Sequence, residues 1–277
     1  MSESPEIFRR GELDVIRIDN AACSAEVTLF GGHILHWQPS GQKPVLWMSE
    51  NSAFDGVTAL RGGVPICWPW FGEKEGQEKH GIVRSQLWQL DHYQESTDTT
   101  TLQLSIILDP SMGSGPFPKK VSMLLRFGAT LEQTLTFENT SEAPQCFAYA
   151  LHNYFRVSSP DNIAIPQLEN SIYHDKIQQL SQQIDTGSRD HCGPIDRVYL
   201  NDKAATLVDS GYDRTIAVEK TGSQNWVLWN PGKDAGGIAD IHPGGEKEYL
   251  CFEVANTADV SLPPGETLTI GQVISIS

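Results

Sequence analysis

Short segments in which apolar and polar residues alternate recur along the whole chain, and they limit the folds that it can adopt. Ala25–Phe30 reads AEVTLF and Thr130–Glu138 reads TLEQTLTFE, so every second residue falls on one face of an extended strand. Turns rich in glycine and proline, such as HPGGE at 242–246 and PPGE at 263–266, separate such segments. Many short strands with turns between them predict an all-β fold, and specifically a large antiparallel β-sandwich.

No change in composition and no fixed-period repeat divides the 277 residues. Because β-sandwiches often reach this length as one unit, we predict a single domain over residues 1–277. Tyr173–Gln183 is the one stretch for which we predict a helix.

The chain carries a formal net charge of −15 at pH 7 and has a sequence pI of about 4.8. Proteins that bind nucleic acids or anionic membranes depend on neutralising phosphate groups, so this charge argues against both partners. A small anionic molecule would need a pocket that is locally basic.

The five cysteines include no CxxC pair, and their spacing fits neither a disulfide framework nor a zinc site. The N-terminal MSESPEIFRR lacks the apolar core of a secretory signal, and no run approaches the ~18 apolar residues that a membrane helix needs. We therefore expect a cytoplasmic protein without a membrane partner or a metal ion.

The stretch from Arg61 to Arg84, RGGVPICWPWFGEKEGQEKHGIVR, combines cations, glycines and aromatic residues. Glycine lets the backbone approach a ligand closely, and arginine presents a planar set of donors that suits phosphate or carboxylate. Indole and phenyl rings suit the C–H faces of a sugar. The combination predicts a pocket for an anionic sugar, although a glycine-rich surface loop with scattered charges has a similar composition.

A histidine stands in the strand-like segment Gln145–Phe155, QCFAYALHNYF. Alternation places His152 on the face that it shares with Cys146, Ala148 and Ala150, and these small neighbours leave room for a ligand above the sheet. The alternative is a half-buried, hydrogen-bonded histidine with a structural role only.

A single carboxylate stands in the apolar segment Tyr249–Ala255, YLCFEVA. Alternation places Glu253 opposite the bulky face of this strand. An ionised carboxylate there is costly unless it is paired, and partial desolvation would raise its pKa towards the range of a useful general base. The alternative is an edge strand that turns Glu253 to solvent.

Together, His152 and Glu253 would form an acid–base pair on two strands. Such a pair can open and close a cyclic hemiacetal, because one group takes the proton of the anomeric hydroxyl while the other protonates the ring oxygen. This chemistry needs no cofactor, no metal and no covalent nucleophile.

Other candidates carry less information. Asp196 follows a Gly-Pro turn, where it would accept hydrogen bonds from sugar hydroxyls or cap the turn. His33 and His36 fall on opposite faces of a strand, so they are poor joint ligands for a metal. The chain contains neither a GxSxG nucleophile motif nor a GxxxxGK[ST] phosphate loop.

Six motifs in this order resemble the hexose-6-phosphate mutarotases, or glucose-6-phosphate 1-epimerases, a branch of the aldose 1-epimerase family. The motifs are RGGVPICWPWFG, HGIVR, ALHNYF, IDRVY, WVLWNP and YLCFEVAN, and the resemblance covers the chain from about Ala25 to its C-terminus. Each motif alone is moderately specific for this family, whereas six motifs in the same order along the chain are strongly specific for it. The resemblance implies a galactose-mutarotase-like β-sandwich with its site on one face of a large sheet.

The resemblance also implies roles for four residues. The catalytic acid of the family, the histidine of its L-H-x-Y-F motif, falls on His152. The catalytic base, a glutamate near the C-terminal end, falls on Glu253. The two arginines that contact phosphate fall on Arg61 and Arg84.

Three further positions follow from the same motifs. The histidine of the HG dipeptide falls on His80, and the sugar-binding aspartate before R-V/I-Y falls on Asp196. Relatives often carry glutamine before the HG histidine, but this chain has Lys79, which would either strengthen phosphate binding or point into solvent.

These observations predict an isomerase that interconverts the α and β anomers of an aldohexose 6-phosphate, with a sugar phosphate as its partner and a monomeric state. An epimerase for unphosphorylated aldoses is the first alternative, since a free sugar does not need the paired arginines. A non-catalytic carbohydrate-binding protein is the second, but it gives no reason for a strand-buried glutamate opposite a histidine. A glycoside hydrolase would normally need two carboxylates beside the scissile bond.

Overall fold

The computed structural model describes residues 4–109, 115–187 and 189–277, and twenty β-strands form within these ranges. Their bounds are β1 Glu6–Arg10, β2 Leu13–Asp19, β3 Cys23–Thr28, β4 His33–Pro39, β5 Ile66–Cys67, β6 Gln89–Glu95, β7 Thr100–Ile107, β8 Lys120–Phe127, β9 Leu131–Glu138, β10 Gln145–Leu151, β11 Tyr154–Arg156, β12 Ile163–Ala164, β13 Ile172–Asp175, β14 Leu180–Ile184, β15 Ile195–Leu200, β16 Ala205–Asp209, β17 Arg214–Thr221, β18 Asn225–Asn230, β19 Tyr249–Leu262 and β20 Thr267–Ile276. Short 3₁₀ turns lie at Val83–Ser85, Pro160–Asn162, Pro166–Leu168, Gly232–Gly237 and Gly245–Lys247. No helix in the described ranges is long and apolar enough to cross a membrane.

The strands form three antiparallel sheets. The cavity sheet has eight strands in the order β14-β13-β15-β18-β19-β10-β5, with β11 paired to β19 outside this path. The back sheet has the order β12-β16-β17-β20-β9-β8-β7-β6, and a third sheet has the order β1-β2-β3-β4. The predicted all-β class and antiparallel β-sandwich are therefore confirmed.

The main core lies between the cavity sheet and the back sheet. Trp226 stacks on Phe252 within the cavity sheet, with ring centroids 4.0 Å apart. Phe137 of the back sheet meets Phe147 of the cavity sheet, with centroids 4.8 Å apart. All four side chains are fully buried, and each such burial contributes about 1.5–3 kcal/mol to folding.

Strand β19 shows how one sequence builds both the core and the face that borders the cavity. Its core face carries the bulky residues Leu250, Phe252 and Val254. Its other face carries Tyr249, Cys251, Glu253 and Ala255. Because side chains alternate along a strand, the apolar packing of the first set fixes the direction of the second.

The helix predicted for Tyr173–Gln183 is wrong, because this segment forms the hairpin of β13 and β14. Tyr173 packs on Tyr199 of the neighbouring β15, with ring centroids 5.3 Å apart. Asp175 Oδ1 accepts hydrogen bonds from the backbone N–H groups that follow in the turn, at 3.1 and 2.9 Å. Pairing with β15 thus outweighs the helical preference of the local leucine and glutamine residues.

Candidate active site

A cavity of about 750 Å³ opens on the face of the cavity sheet that points away from the main core. Its lining includes all seven residues singled out in the sequence, which are Arg61, Lys79, His80, Arg84, His152, Asp196 and Glu253. The structure thus brings these residues together in one place, and their roles remain predictions.

His152 and Glu253 lie side by side at the bottom of the cavity. His152 follows the last residue of β10, and Glu253 lies within β19, which is bordered by β18 and β10. The two residues are only 6% and 1% exposed, and His152 Nε2 lies 3.4 Å from Glu253 Oε1. The alternative in which an edge strand turns Glu253 to solvent is therefore wrong.

A buried amide pair anchors the backbone beneath these two residues. Asn153 Nδ2 donates to Gln272 Oε1 of the back sheet, and Gln272 Nε2 donates to Asn153 Oδ1, each at 2.8 Å. Asn153 Nδ2 also donates to the carbonyl of Phe252 at 3.1 Å. Since Asn153 follows His152 and Phe252 precedes Glu253, this network holds both positions against the other sheet.

Burial sets the protonation of the pair. It lowers the pKa of His152 well below its ordinary value, and the charges of Arg61 and Arg84 act in the same direction. It raises the pKa of Glu253 well above its ordinary value, with Lys176 opposing this effect most among the nearby cations. Burial thus disfavours the charged form of both groups, the imidazolium of His152 and the carboxylate of Glu253.

Each member of the pair keeps one buried atom without a partner. Among the described residues, no group forms a hydrogen bond with His152 Nδ1 or with Glu253 Oε2. An unsatisfied buried polar atom costs about 1–3 kcal/mol, and native structures keep few of them. Two such atoms in one cavity indicate a binding site for a polar ligand.

Arg61 is held on one side of the pair. Its Nε donates to Asp240 Oδ2 at 3.0 Å, and its Nη1 donates to the hydroxyl of Tyr154 at 2.8 Å. The ring of Tyr154 stacks on His152, with centroids 4.7 Å apart. Arg61 thus enters the cavity with its charge already balanced by a carboxylate and with further N–H groups available.

The chain that follows Arg61 runs beside the strand that leads to His152. The carbonyl of Pro65 accepts a hydrogen bond from the His152 N–H, and the carbonyl of Gly63 accepts one from the Tyr154 N–H, both at 2.9 Å. Two backbone hydrogen bonds thus fix Arg61 relative to the imidazole.

Gly81 returns the chain to the cavity. Its φ is +83°, and the Ile82 N–H donates to the carbonyl of Trp68 at 3.0 Å. A Cβ atom at Gly81 would lie 2.0 Å from that carbonyl oxygen, so only glycine allows this close approach. The crossing places His80 and Arg84 on the cavity wall.

Replacing Gly81 with alanine is expected to lower the free energy of unfolding by about 2–3 kcal/mol, because the backbone must shift as well as adopt a positive φ. Urea denaturation measures this loss. Gly76→Ala is the matched control, since Gly76 has φ +67° in the same loop but no atom within 4 Å of the added Cβ. Its expected loss is about 1 kcal/mol, and equal losses in both variants would contradict the steric role of Gly81.

His80 presents a defined hydrogen-bond donor. Its Nδ1 accepts the backbone N–H of Gly72 at 3.2 Å, so the proton of a neutral ring lies on Nε2. Burial, together with the charges of Arg84 and Lys79, lowers the pKa of His80 far below its ordinary value. The ring meets that of His152 edge to face, with centroids 5.7 Å apart.

The remaining predicted residues differ in the hydrogen bonds and ion pairs that their charged groups form. Arg84 Nη2 donates to the carbonyl of Lys79, while Arg84 Nε is buried without a partner among the described residues. Lys79 Nζ forms an exposed ion pair with Glu73 at 3.1 Å. Asp196 lies within β15 rather than in a turn, and burial raises its pKa.

Sequence reasoning missed several residues of the cavity wall. Tyr154 stands two residues after His152 and therefore shares its face, which was a usable signal. Trp229 stands in the WVLWNP motif and pairs across the sheet with Asp196. Lys176 also lines the cavity, but nothing in the local sequence distinguishes it from other exposed lysines.

A group of side chains of the kinds that ligate metals lies elsewhere. In the part of the chain that the structure describes, one group of side chains, Asp161, Asp190 and Cys192, brings its ligand atoms within 4.8 Å of one another. These residues do not line the cavity.

Comparison with known proteins places this chain among sugar-processing enzymes. Residues 14–275 match the aldose 1-epimerase family. An Escherichia coli K12 protein named "putative glucose-6-phosphate 1-epimerase" is 34% identical over 270 residues, which cover 92% of this chain and 88% of that protein.

Solved structures agree with this match. The crystal structure of a Salmonella typhimurium "putative mutarotase (YeaD)" superposes with a TM-score of 0.89 at 29% identity, over 98% of this chain and 92% of that one. A galactose mutarotase-like protein from Lactobacillus casei shares the fold, with a TM-score of 0.69 at 14% identity over 95% of this chain and all of that one. The fold and the family match define a carbohydrate epimerase of the mutarotase type. The chain belongs to the aldose 1-epimerase family, which confirms the resemblance seen in its motifs.

Proposed function

We propose that this enzyme interconverts the α and β anomers of an aldohexose 6-phosphate, and that its substrate is glucose 6-phosphate. The observation that carries the proposal is a set of cations, Arg61, Lys79, Arg84 and Lys176, that line the same cavity as the acid–base pair. Such a set in a chain of net charge −15 favours an anionic ligand. The names of the E. coli and Salmonella relatives support the same substrate.

The reaction needs one base and one acid on the two oxygens of the anomeric carbon. Glu253 takes the proton of the C1 hydroxyl while His152 donates a proton to the ring oxygen, and the bond between C1 and that oxygen breaks. The open-chain aldehyde rotates about C1–C2. The ring oxygen then attacks the other face of C1, with His152 taking its proton back and Glu253 returning its proton to the carbonyl oxygen.

The substrate itself would help to set the required proton positions. Arg61 and Arg84, whose charges add to the effect of burial in lowering the pKa of His152, line the cavity in which a phosphate dianion would bind. Once their charge is offset by phosphate, the imidazole of His152 is easier to protonate. Transfer of the Glu253 proton to His152, whose Nε2 lies 3.4 Å from Glu253 Oε1, then gives the imidazolium acid and the carboxylate base that the reaction needs.

The decisive experiment follows the anomerisation of freshly dissolved α-glucose 6-phosphate by polarimetry at pH 7, with and without the protein. We expect a rate well above the spontaneous rate, and a larger kcat/KM for glucose 6-phosphate than for glucose. A rate equal to the spontaneous one for both sugars would sink the proposal.

Arg84→Gln is expected to raise KM for glucose 6-phosphate about tenfold and to change kcat less, because a phosphate contact is made in the ground state and the transition state alike. Steady-state kinetics with glucose 6-phosphate measures both constants. Arg126→Gln is the matched control, since Arg126 pairs with Glu132 at 3.1 Å and does not line the cavity. An unchanged KM in Arg84→Gln would remove Arg84 from the phosphate site.

An epimerase for unphosphorylated aldoses is the second candidate, and the state of Arg61 favours it. A guanidinium that Asp240 already balances has less charge to offer a phosphate, and its free N–H groups suit sugar hydroxyls. The comparison of glucose with glucose 6-phosphate distinguishes the two candidates. A sugar-binding protein without activity would bind either sugar and leave the polarimetric rate unchanged.

A further inference from the structure

Lys176 is held at a fixed place beside the cavity. It lies in the turn between β13 and β14, and its backbone N–H donates to the carbonyl of Asp196 at 2.9 Å. The preceding residue, Asp175, accepts a hydrogen bond from Arg197 Nε at 3.1 Å. The turn is therefore tied at two points to β15, the strand that carries the Asp196 side chain into the cavity.

The side chain of Lys176 reaches across the cavity to the loop of the opposite wall. In the cavity sheet, β13 and β5 are five strand spacings apart, which is about 24 Å in a flat sheet. Yet Lys176 Nζ lies 4.6 Å from the ring centroid of Phe71, four residues beyond β5. The Phe71 ring in turn meets that of His80, with centroids 4.9 Å apart.

Lys176 forms no ion pair within the described ranges, unlike two other cations of the cavity. Asp240 balances Arg61, and Glu73 balances Lys79. Among the described residues, Lys176 Nζ has neither a hydrogen bond nor an ion pair, and its ring contact is of the weak kind found at exposed sites. Because this contact is weak, the Lys176 ammonium can leave the Phe71 ring and bind an anion with little loss of free energy.

The charges of Lys176 and Arg84 act on the same two side chains of the cavity. Both cations lower the pKa of the buried Glu253 carboxyl, and both lower the pKa of His80. Lys79 has the same two effects, so all three cations approach one region of the cavity, and Lys79 differs from Lys176 in that Glu73 forms an ion pair with it.

We propose that Lys176 is a specificity-determining residue that binds the phosphate group of the substrate together with Arg84, from the opposite wall of the cavity. This inference rests on the proposed function, because it assigns the anionic part of that substrate to a particular pair of side chains. Lys176 completes the cation set with an ammonium that forms no ion pair among the described residues.

Lys176→Gln tests the inference by steady-state anomerisation kinetics. We expect KM for glucose 6-phosphate to rise about tenfold at low salt, with kcat within about twofold and with kcat/KM for glucose unchanged. Lys176→Arg should recover most of the loss, since a guanidinium also binds phosphate. A structural role alone would alter the kinetics with both sugars.

The matched control is Lys74→Gln. Lys74 is also an exposed lysine over an aromatic ring, with Nζ 4.3 Å from the centroid of Trp70, but it does not line the cavity. We expect wild-type kinetics for this variant with both sugars. An equal rise of KM in the Lys74 and Lys176 variants would reduce the effect to general surface charge and overturn the inference.

A binding measurement separates this inference from the proposed function. Isothermal titration calorimetry with inorganic phosphate should show about tenfold weaker binding to Lys176→Gln than to the wild type. If the wild type fails to anomerise glucose 6-phosphate, the proposed function fails, while the calorimetric difference still supports Lys176 as an anion-binding residue. Equal affinity of both proteins for phosphate, or an unchanged KM in an active Lys176→Gln, overturns the inference.

Discussion

Glu253→Gln is expected to lower kcat for anomerisation by about a thousandfold, because an amide of the same shape cannot accept the proton of the anomeric hydroxyl. KM should change little, since the variant keeps the volume and the hydrogen-bonding capacity of the side chain. Polarimetry of α-glucose 6-phosphate measures the loss. A variant within about tenfold of the wild-type rate would exclude Glu253 as the base.

The same variant should gain stability relative to the wild type as the pH rises. Because burial raises the folded-state pKa of Glu253 above 4.5, the wild type loses stability as the pH rises above this value and the unfolded chain ionises first. Glutamine does not ionise, so the free energy of unfolding of Glu253→Gln relative to the wild type should increase from pH 5 to pH 8. Urea denaturation at both pH values measures the difference, and together with the kinetics it shows whether lost activity reflects lost chemistry or lost folding.

His152→Asn is expected to lower kcat by about a hundredfold to a thousandfold, because the ring oxygen then leaves without a positioned proton donor. His152 should also affect the stability of the wild type, but in the acid range, where stability falls as the pH decreases. For Glu253, stability falls as the pH increases. The folded-state pKa of His152 lies below 6.5, so the wild type loses stability as the pH falls below this value and protons bind first to the unfolded chain. The asparagine variant lacks this loss.

His191→Asn is the control for the loss of a buried imidazole. His191 is 5% exposed and does not line the cavity. It should keep the wild-type kcat even if its stability changes. Comparable losses of kcat in both histidine variants would point to a folding defect and would count against His152 as the acid.

Alternation along single strands predicted much of this structure. The pattern in Tyr249–Ala255 was enough to separate a core face from the face that carries Glu253, because apolar packing leaves a strand only one register. The pattern in Gln145–Phe155 did the same for His152, although the regular strand ends at Leu151. Such local signals are reliable where one face of a sheet is fully buried.

Contacts between distant segments could not be predicted in this way. Arg61 contacts Asp240, which lies 179 positions later in the sequence, and no local pattern in either segment predicts this contact. Lys176 lay in a segment read as a helix, and only the pairing of β13 with β15 brings it to the cavity. The six motifs placed seven residues in one site because they carry information about the whole fold, which a single segment does not contain.

The two kinds of residue in this cavity stand on different parts of the architecture. Glu253 lies in the central strand β19 and His152 directly follows β10, where the Asn153–Gln272 amide pair ties the chain to the back sheet. Arg84 and Lys176, in contrast, stand on a loop and a hairpin at the two sides. Loops accept substitution and insertion more readily than buried strands do. Under the proposed function, substitutions in the loop and the hairpin would change which sugar is bound while the His152–Glu253 pair stays in place, so one scaffold can carry epimerases for many different aldoses.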